Sequence, residues 1–231
     1  MTIKPRDIVF GDLIATQLPH AGIALSLANL LELMLVHSDN TATDEVLKAV
    51  GGPAAVTDWL RSVGIEHQRI DRTVVELVRD YFRLPPGPVQ AALAAHLRKH
   101  PEDFGKPNPD FEGDIRDSTS PAAMVRLLGL LSTGEGLSAE SSGFLLAIMK
   151  RCRTGPGRLK GLLPPGTVLS HKTGSIGGVT NDVGVVALPR QLGRLLIAVF
   201  IKGSSQPEAA REHVIAQIAR AAYDHFVQPE P

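Results

Sequence analysis

Apolar residues follow a helical period through the first two thirds of the chain. This spacing predicts a helix from Ser26, which can cap it, to about Val36. Gly and Pro residues mark the ends of further segments with the same period. Helices are therefore predicted over residues 41–50, 53–63, 73–84, 89–100, 121–134 and 138–152. Residues 101–117 are rich in Pro, Gly and Asp and predict a long loop.

From residue 167 onward the period changes to that of β-strands. Three stretches rich in Val, Ile and Leu predict strands, namely TVLSHKTG, NDVGVVALP and RLLIAVFIKG. A closing helix is predicted over 207–226. Helices followed by an antiparallel meander and a helix predict an α+β fold. We expect one domain over 1–231, with a helical lobe at about 13–160, a sheet-plus-helix lobe at about 161–231 and a connector at 1–12.

Composition narrows the class of protein. Lys plus Arg and Asp plus Glu both number 24, so the chain has no basic excess of the kind that nucleic-acid binding favours. The sequence contains no run of about 18 apolar residues, so no membrane-spanning helix is predicted. The single cysteine, Cys152, predicts no intrachain disulfide and is interpreted as a packed or half-exposed thiol.

Three short motifs suggest chemistry. They are Ser38-Asp39-Asn40 within SDNTATD, the stretch RDSTSPAAM over 116–124, and Lys172-Thr173-Gly174-Ser175. Taken alone, Ser38-Asp39 is typical of a helix cap and Lys172 of a solvated charge at a strand end. Together and in this order, they resemble the S-D-N and K-T-G motifs of class A β-lactamases and penicillin-binding proteins.

The resemblance implies a β-lactamase/transpeptidase-like fold and a site for an anionic substrate. Lys172 and the hydroxyls of Thr173 and Ser175, with Gly174 between them, would hold the carboxylate of a β-lactam or a peptide. The Ser175 N–H would serve an oxyanion hole. Arg211 would be a second carboxylate-binding arginine, or else part of a solvated helix face.

The resemblance assigns further roles to residues earlier in the chain. Ser38 would pass a proton to the departing lactam nitrogen, facing Lys172 across the cleft. Asn40 would bind the amide of the substrate's side chain. Arg72 and Asp117 match the ion pair that closes the family's omega loop, a structural role. No metal or organic cofactor is implied, and His171 is interpreted as a packing or hydrogen-bonding residue.

Two departures from the family pattern change the expected activity. No serine in the sequence is followed three residues later by lysine, so the S-x-x-K nucleophile is absent. Neither Ser38 nor Ser175 has the lysine that would replace it as a base. We expect the 231-residue chain to be inactive, either as a truncated product of a longer enzyme or as a natural remnant.

The second departure lies after Arg72. The family places a deacylating glutamate two residues after this arginine, where this chain has Val74. Val78 stands where the family has an asparagine, and 44 residues separate Arg72 from Asp117. We expect part of this long segment, VQAALAAHLRKH, to form a helical cap over or beside the site.

The resemblance predicts a serine hydrolase that cleaves a β-lactam amide through an acyl-serine. Two alternatives stay open: a D-alanyl-D-alanine carboxypeptidase or esterase on the same scaffold, and a non-catalytic module that binds carboxylates. The expected partner is a small molecule, with no nucleic acid and no membrane span. The resemblance also implies a periplasmic or secreted location, although the start MTIKPRDIVFGD lacks the apolar core of a signal peptide. Neither the true substrate nor the oligomeric state follows from the sequence.

Overall fold

The computed structural model describes residues 1–9, 13–18, 20 and 22–228. The last three residues of the predicted connector 1–12, and the last three of the predicted domain, therefore lie outside the described residues. The chain divides into two compact units, one from Met1 to Thr119 and one from Ser120 onward. Each unit has an apolar cluster of its own.

The first unit is helical. Its core joins Ile3, Ile14, Leu30 and Ala42, which bring the start of the chain against the second and third helices. The helices predicted in this unit are present, with ends that differ by a few residues. The helices are α1 (Leu13–Gln17), α2 (Leu27–Glu32), α3 (Asn40–Ala49), α4 (Pro53–Ser62), α5 (Val74–Phe82), α6 (Val89–Lys99) and α7 (Pro109–Glu112).

The predicted loop over 101–117 is more ordered than its composition indicates. It contains a 3₁₀ turn over Pro101–Phe104 as well as the short helix α7. Each turn begins with a proline, whose fixed φ suits the first helical position. Asn108 caps α7, because its side chain accepts a hydrogen bond from the Phe111 N–H at 3.3 Å.

The second unit contains an antiparallel sheet whose described strands lie in the order β1-β2-β3. The three predicted strands are present, and β1 reaches two residues beyond the predicted end. β1 and β2 are joined by a two-residue turn, in which Gly177 takes a φ of 50°. The elements are α8 (Pro121–Thr133), α9 (Ala139–Met149), β1 (Leu169–Ile176), β2 (Val179–Ala187), β3 (Arg194–Ile201) and α10 (Glu208–Val227).

Helices cover the sheet of this unit. α10 packs on β2 and β3, α8 packs on the same two strands, and α9 packs on β1. α8 and α9, which the sequence pattern assigns to the helical lobe at about 13–160, thus belong to the same unit as the sheet. The two helices group with the sheet because they bury apolar side chains: Leu128 of α8 is 3% exposed and Ile148 of α9 is 0% exposed. The core cluster consists of Leu159, Leu169, Val186, Ile197, Val199, Ile215, Ala219 and Tyr223.

Candidate active site

Asp39 fixes the loop that carries Ser38. This carboxylate is 1% exposed; one oxygen accepts a hydrogen bond from the Ala42 N–H at 2.8 Å and thereby caps α3. The other oxygen accepts from the Ile14 N–H at 2.9 Å. Ser38 stands just before it in a left-handed conformation, with φ 59° and ψ 37°. The capping role therefore belongs to Asp39, and Ser38 and Asn40 flank an anchored residue.

The K-T-G residues lie on β1, where successive side chains point to opposite faces of the sheet. Thr173 and Ser175 share one face, opposite Asp182 and Thr180 of β2. Lys172 points to the other face, and its Nζ donates to the Thr173 carbonyl at 2.6 Å. Burial lowers the pKa of Lys172 below its ordinary value.

Arg158, in the loop over 150–168, is the residue that joins this strand to its neighbour. Its Nη1 donates to the carbonyl oxygens of Gly174 at 3.2 Å and Asn181 at 2.9 Å. Its Nη2 donates to the Ser175 hydroxyl at 2.6 Å. The arginine side chain is 4% exposed, so its charge is held next to the K-T-G hydroxyls and away from bulk water.

Two glutamates of α10 neutralise Arg158. Nε donates to Glu212 at 3.0 Å and Nη2 to Glu208 at 3.0 Å. Glu212 approaches the loop so closely that a Cβ on Gly157 would lie 2.8 Å from its Oε2. The sequence reasoning missed Arg158, because in the sequence it is one of several basic residues in a Gly- and Pro-rich loop.

Arg211 is buried at 7% exposure, so the alternative of a solvated helix face is wrong. Its Nη1 donates to the Gly177 carbonyl at 2.8 Å and so ties α10 to the turn between β1 and β2. Its Nε has no hydrogen-bond partner among the described residues. Binding of a carboxylate by Arg211 stays a prediction.

The predicted pair of Arg72 and Asp117 is present in the first unit. Arg72 Nε donates to Asp117 at 2.6 Å, and the same carboxylate accepts from the N–H groups of Asp71 at 2.7 Å and Arg72 at 3.0 Å. Asp71 accepts in return from the Asp117 N–H at 2.9 Å. We call these three residues the neck, because they bring together the two ends of a 44-residue segment.

Val74, at the position of the family's deacylating glutamate, is the first residue of α5. Thr73 and Glu76 form a capping box, with Glu76 accepting from the Thr73 N–H at 2.8 Å, so Glu76 is engaged in holding the helix end. Asp44 of α3 accepts from the N–H groups of Val74 at 2.6 Å and Val75 at 3.1 Å. Burial raises the pKa of the Asp44 carboxyl.

The structure brings together four of the predicted site residues, which are consecutive on β1: Lys172, Thr173, Gly174 and Ser175. Ser38 and Asn40 belong to the first unit, as do the residues of the neck. The predicted approach of Ser38 to Lys172 stays a prediction.

Comparisons with known proteins identify the family of the chain. The model of the "Beta-lactamase enzyme family" matches residues 1–226. The extended-spectrum β-lactamase PER-1 of Pseudomonas aeruginosa is 35% identical over 201 residues, which are 84% of this chain and 55% of that protein. A β-lactamase of Proteus vulgaris is 31% identical over 218 residues, covering 94% of this chain and 62% of the relative.

Solved structures give the same result for the fold. A β-lactamase from Chitinophaga pinensis superposes with a TM-score of 0.78 at 30% identity, over 97% of this chain and 74% of that one. An ancestral class A β-lactamase gives a TM-score of 0.78 at 32% identity, over 98% and 75% of the two chains. The chain therefore belongs to the class A β-lactamase family, with its α+β fold. It spans 55% of the length of the Pseudomonas relative and 62% of the length of the Proteus relative.

Proposed function

We propose that the protein is a class A β-lactamase-like serine hydrolase, which opens the amide of a β-lactam through an acyl-serine. The observation that carries this proposal is the presence of S-D-N and K-T-G, in order, in a chain that belongs to the family. Such hydrolysis requires a grip on the substrate's carboxylate and a path for a proton to the leaving nitrogen.

The strand β1 supplies the grip in this proposal. The hydroxyls of Thr173 and Ser175 provide hydrogen bonds from one face of β1. Lys172 leaves from the other face, but its Nζ folds back to the Thr173 carbonyl and would provide the positive charge. The guanidinium of Arg158 supports them, since it donates to Ser175 from a buried position. A carboxylate in contact with Ser175 would thus lie beside a guanidinium whose charge Glu208 and Glu212 balance.

Ser38 and Asn40 supply the remaining roles. Ser38 would relay the proton to the lactam nitrogen, and Asn40 would bind the amide of the substrate's side chain. The anchoring of Asp39 by two hydrogen bonds supports these roles, because a proton relay requires a fixed backbone.

Binding of benzylpenicillin, measured by calorimetry, tests the grip. We expect Lys172→Ala to weaken binding about tenfold or more, since a charged hydrogen bond contributes about 1.5–3 kcal/mol. Lys160→Ala removes the same charge from an exposed position in the same unit and should leave the affinity unchanged. Equal affinities for wild type and Lys172→Ala would contradict the assignment.

The acylation step needs a nucleophile, and no serine of the 231 residues has the S-x-x-K spacing. We expect nitrocefin hydrolysis by this chain alone to equal the buffer background, and turnover above it would overturn that expectation. Reading the gene upstream of Met1 for an in-frame S-x-x-K distinguishes the truncated enzyme from the natural remnant. A product that includes such a motif should hydrolyse nitrocefin.

Val74 favours a second candidate, a D-alanyl-D-alanine carboxypeptidase or esterase. An acyl-enzyme formed beside a valine would lose the family's usual route for activating water. If a product with S-x-x-K forms a stable penicillin adduct by mass spectrometry and releases it very slowly, this candidate is favoured over a β-lactamase.

A carboxylate-binding module is the third candidate, and the hydrogen-bonding groups of β1 with the buried Arg158 support it. In that case the 231-residue chain should bind benzylpenicillin reversibly and return it intact. The candidates share a small-molecule partner, and we propose a periplasmic or secreted location. Over the ranges that the structure describes, no helix combines the length and apolarity that crossing a membrane requires.

A further inference from the structure

Three side chains of the second unit form a cluster for which the proposed hydrolysis has no use. His171 of β1 and Asp182 of β2 are buried, at 3% and 0% exposure. Nδ1 of the imidazole lies 2.9 Å and 3.0 Å from the two carboxylate oxygens of Asp182. Asp182 is itself oriented by the Leu159 N–H, at 3.2 Å. The carboxylate thus holds the ring so that Nε2 is the nitrogen available to a third group.

That third group is the thiol of Cys152, just beyond α9. It lies 3.3 Å from the Thr154 hydroxyl, and its charge interacts with that of His171. Cys152 is partly exposed, in contrast to the buried imidazole and carboxylate beneath it. A nucleophile within reach of a base, with the base oriented by a third group, is the arrangement that activates catalytic cysteines.

The electrostatics of the cluster favour the charged pair. Burial opposes charge on His171, but the hydrogen bond to Asp182 outweighs it and raises the pKa of His171 to about 9. Burial also opposes charge on Cys152, but the bonds to His171 and Thr154 lower the pKa of the thiol to about 7. The other charged groups near the cluster are the cations Lys172 of β1 and Arg158. In the sequence, Arg151 and Arg153 flank Cys152.

We propose that Cys152, His171 and Asp182 form a thiol-modification site that reacts with small electrophiles, in particular low-molecular-weight disulfides. The Cys152 thiolate attacks one sulfur of the disulfide, and a new S–S bond forms as the old one breaks. The departing thiolate takes a proton from solvent. His171 keeps its proton and, held by Asp182, stabilises the thiolate before the attack.

The site has a direct link to the K-T-G strand. The Thr154 hydroxyl that contacts Cys152 also lies 2.5 Å from the hydroxyl of Thr173. A mixed disulfide on Cys152 would displace the contact with Thr154 and so disturb the partner of Thr173. Modification of the thiol would therefore change the hydrogen bonding of Thr173 on β1, although no residue of that strand reacts.

The test is the pH dependence of alkylation of the 231-residue chain by iodoacetamide, followed by mass spectrometry. We expect the rate to reach half of its plateau near pH 7, whereas an ordinary thiol does so near pH 8.5. Oxidised glutathione below pH 7.5 should give a single adduct, and Cys152→Ser should give none with either reagent. A half-maximal pH at 8.5 or above would overturn the proposal.

Two variants separate the cluster from a merely exposed thiol. His171→Gln should move the half-maximal pH upward by about one unit or more, because the imidazolium beside the thiolate is lost. Thr154→Val, which removes one hydroxyl from a partly exposed position, should move it upward by less. This second variant keeps the test valid if His171→Gln does not fold. If the folded variants retain the wild-type profile, the histidine and threonine do not activate Cys152 and the proposal fails.

Discussion

Arg72 holds the neck of the first unit and Arg158 holds the 150–168 loop of the second, and their partners differ in kind. Arg72 pairs with three carboxylates, at 2.6 Å for Asp117, 2.9 Å for Asp80 and 3.4 Å for Asp114. Arg158 instead divides its donors between strand carbonyls, one hydroxyl and two glutamates. When one carboxylate beside a guanidinium is removed, another can take its place. The strand carbonyls that Arg158 contacts have fixed positions, so no other side chain of the loop can take over those hydrogen bonds. We therefore expect the carboxylates around Arg72 to compensate for one another, and the contacts of Arg158 to have no substitute.

The largest effect is therefore expected at Arg158. Arg158→Met leaves Glu212 without its arginine and Ser175 without a donor, so we expect a loss of about 3–5 kcal/mol in the free energy of unfolding. Urea denaturation followed by far-UV circular dichroism measures it. The double variant Arg158→Met with Glu212→Gln should recover part of the loss, because the stranded charge is gone. A loss smaller than that of any single neck variant would show that Arg158 is as replaceable as the residues of the neck.

Asp117→Ala should have the largest effect within the neck. It removes one ion pair and the acceptor of two backbone N–H groups, and we expect a loss of about 2 kcal/mol. Asp117→Asn keeps an acceptor and should lose less. Limited proteolysis of the 73–116 segment gives a second readout, since an open neck should expose it to cleavage.

Asp44→Asn should change the free energy of unfolding by a smaller amount, and this change should depend on pH. Its pKa is raised by burial, so the stability that this group contributes is fully present below the ordinary Asp pKa of about 3.9. That contribution is lost as the pH rises through the folded pKa. The stability of Asp44→Asn relative to wild type should therefore improve between pH 3.5 and pH 6 in urea titrations. A difference that stays constant over this range would show that the carboxyl is not perturbed.

The smallest effect is expected at Asp80. Its side chain is 42% exposed, and Arg72 keeps its other two carboxylates when Asp80→Asn removes this one. We expect a change below about 0.5 kcal/mol in thermal or urea unfolding. A loss as large as that of Asp117→Ala would show that the neck is not redundant.

Local patterns in the sequence predicted much of the fold. The strands around Lys172 follow from runs of β-branched residues, and α3 follows from a capping residue and helical spacing. Side chains alternate between the two faces of a strand, so the two-residue spacing of Thr173 and Ser175 predicts that their hydroxyls share a face.

The features that the sequence did not predict depend on contacts between residues far apart in the chain. Arg158 meets Ser175 and Glu212, which lie 17 and 54 residues away, and no local pattern marks such a meeting. The burial of Arg211 and the pairing of His171 with Asp182 are of the same kind. The grouping of α8 and α9 with the sheet was missed because helical spacing shows that a face is apolar but not which surface will cover it.

The left-handed backbone of Ser38 has a thermodynamic consequence. A residue with a Cβ at φ 59° stores about 1 kcal/mol that glycine would release. Ser38→Gly would release this strain and at the same time delete the hydroxyl to which a proton relay is assigned. Relaxation of the backbone and the proposed proton relay therefore favour different residues at this position.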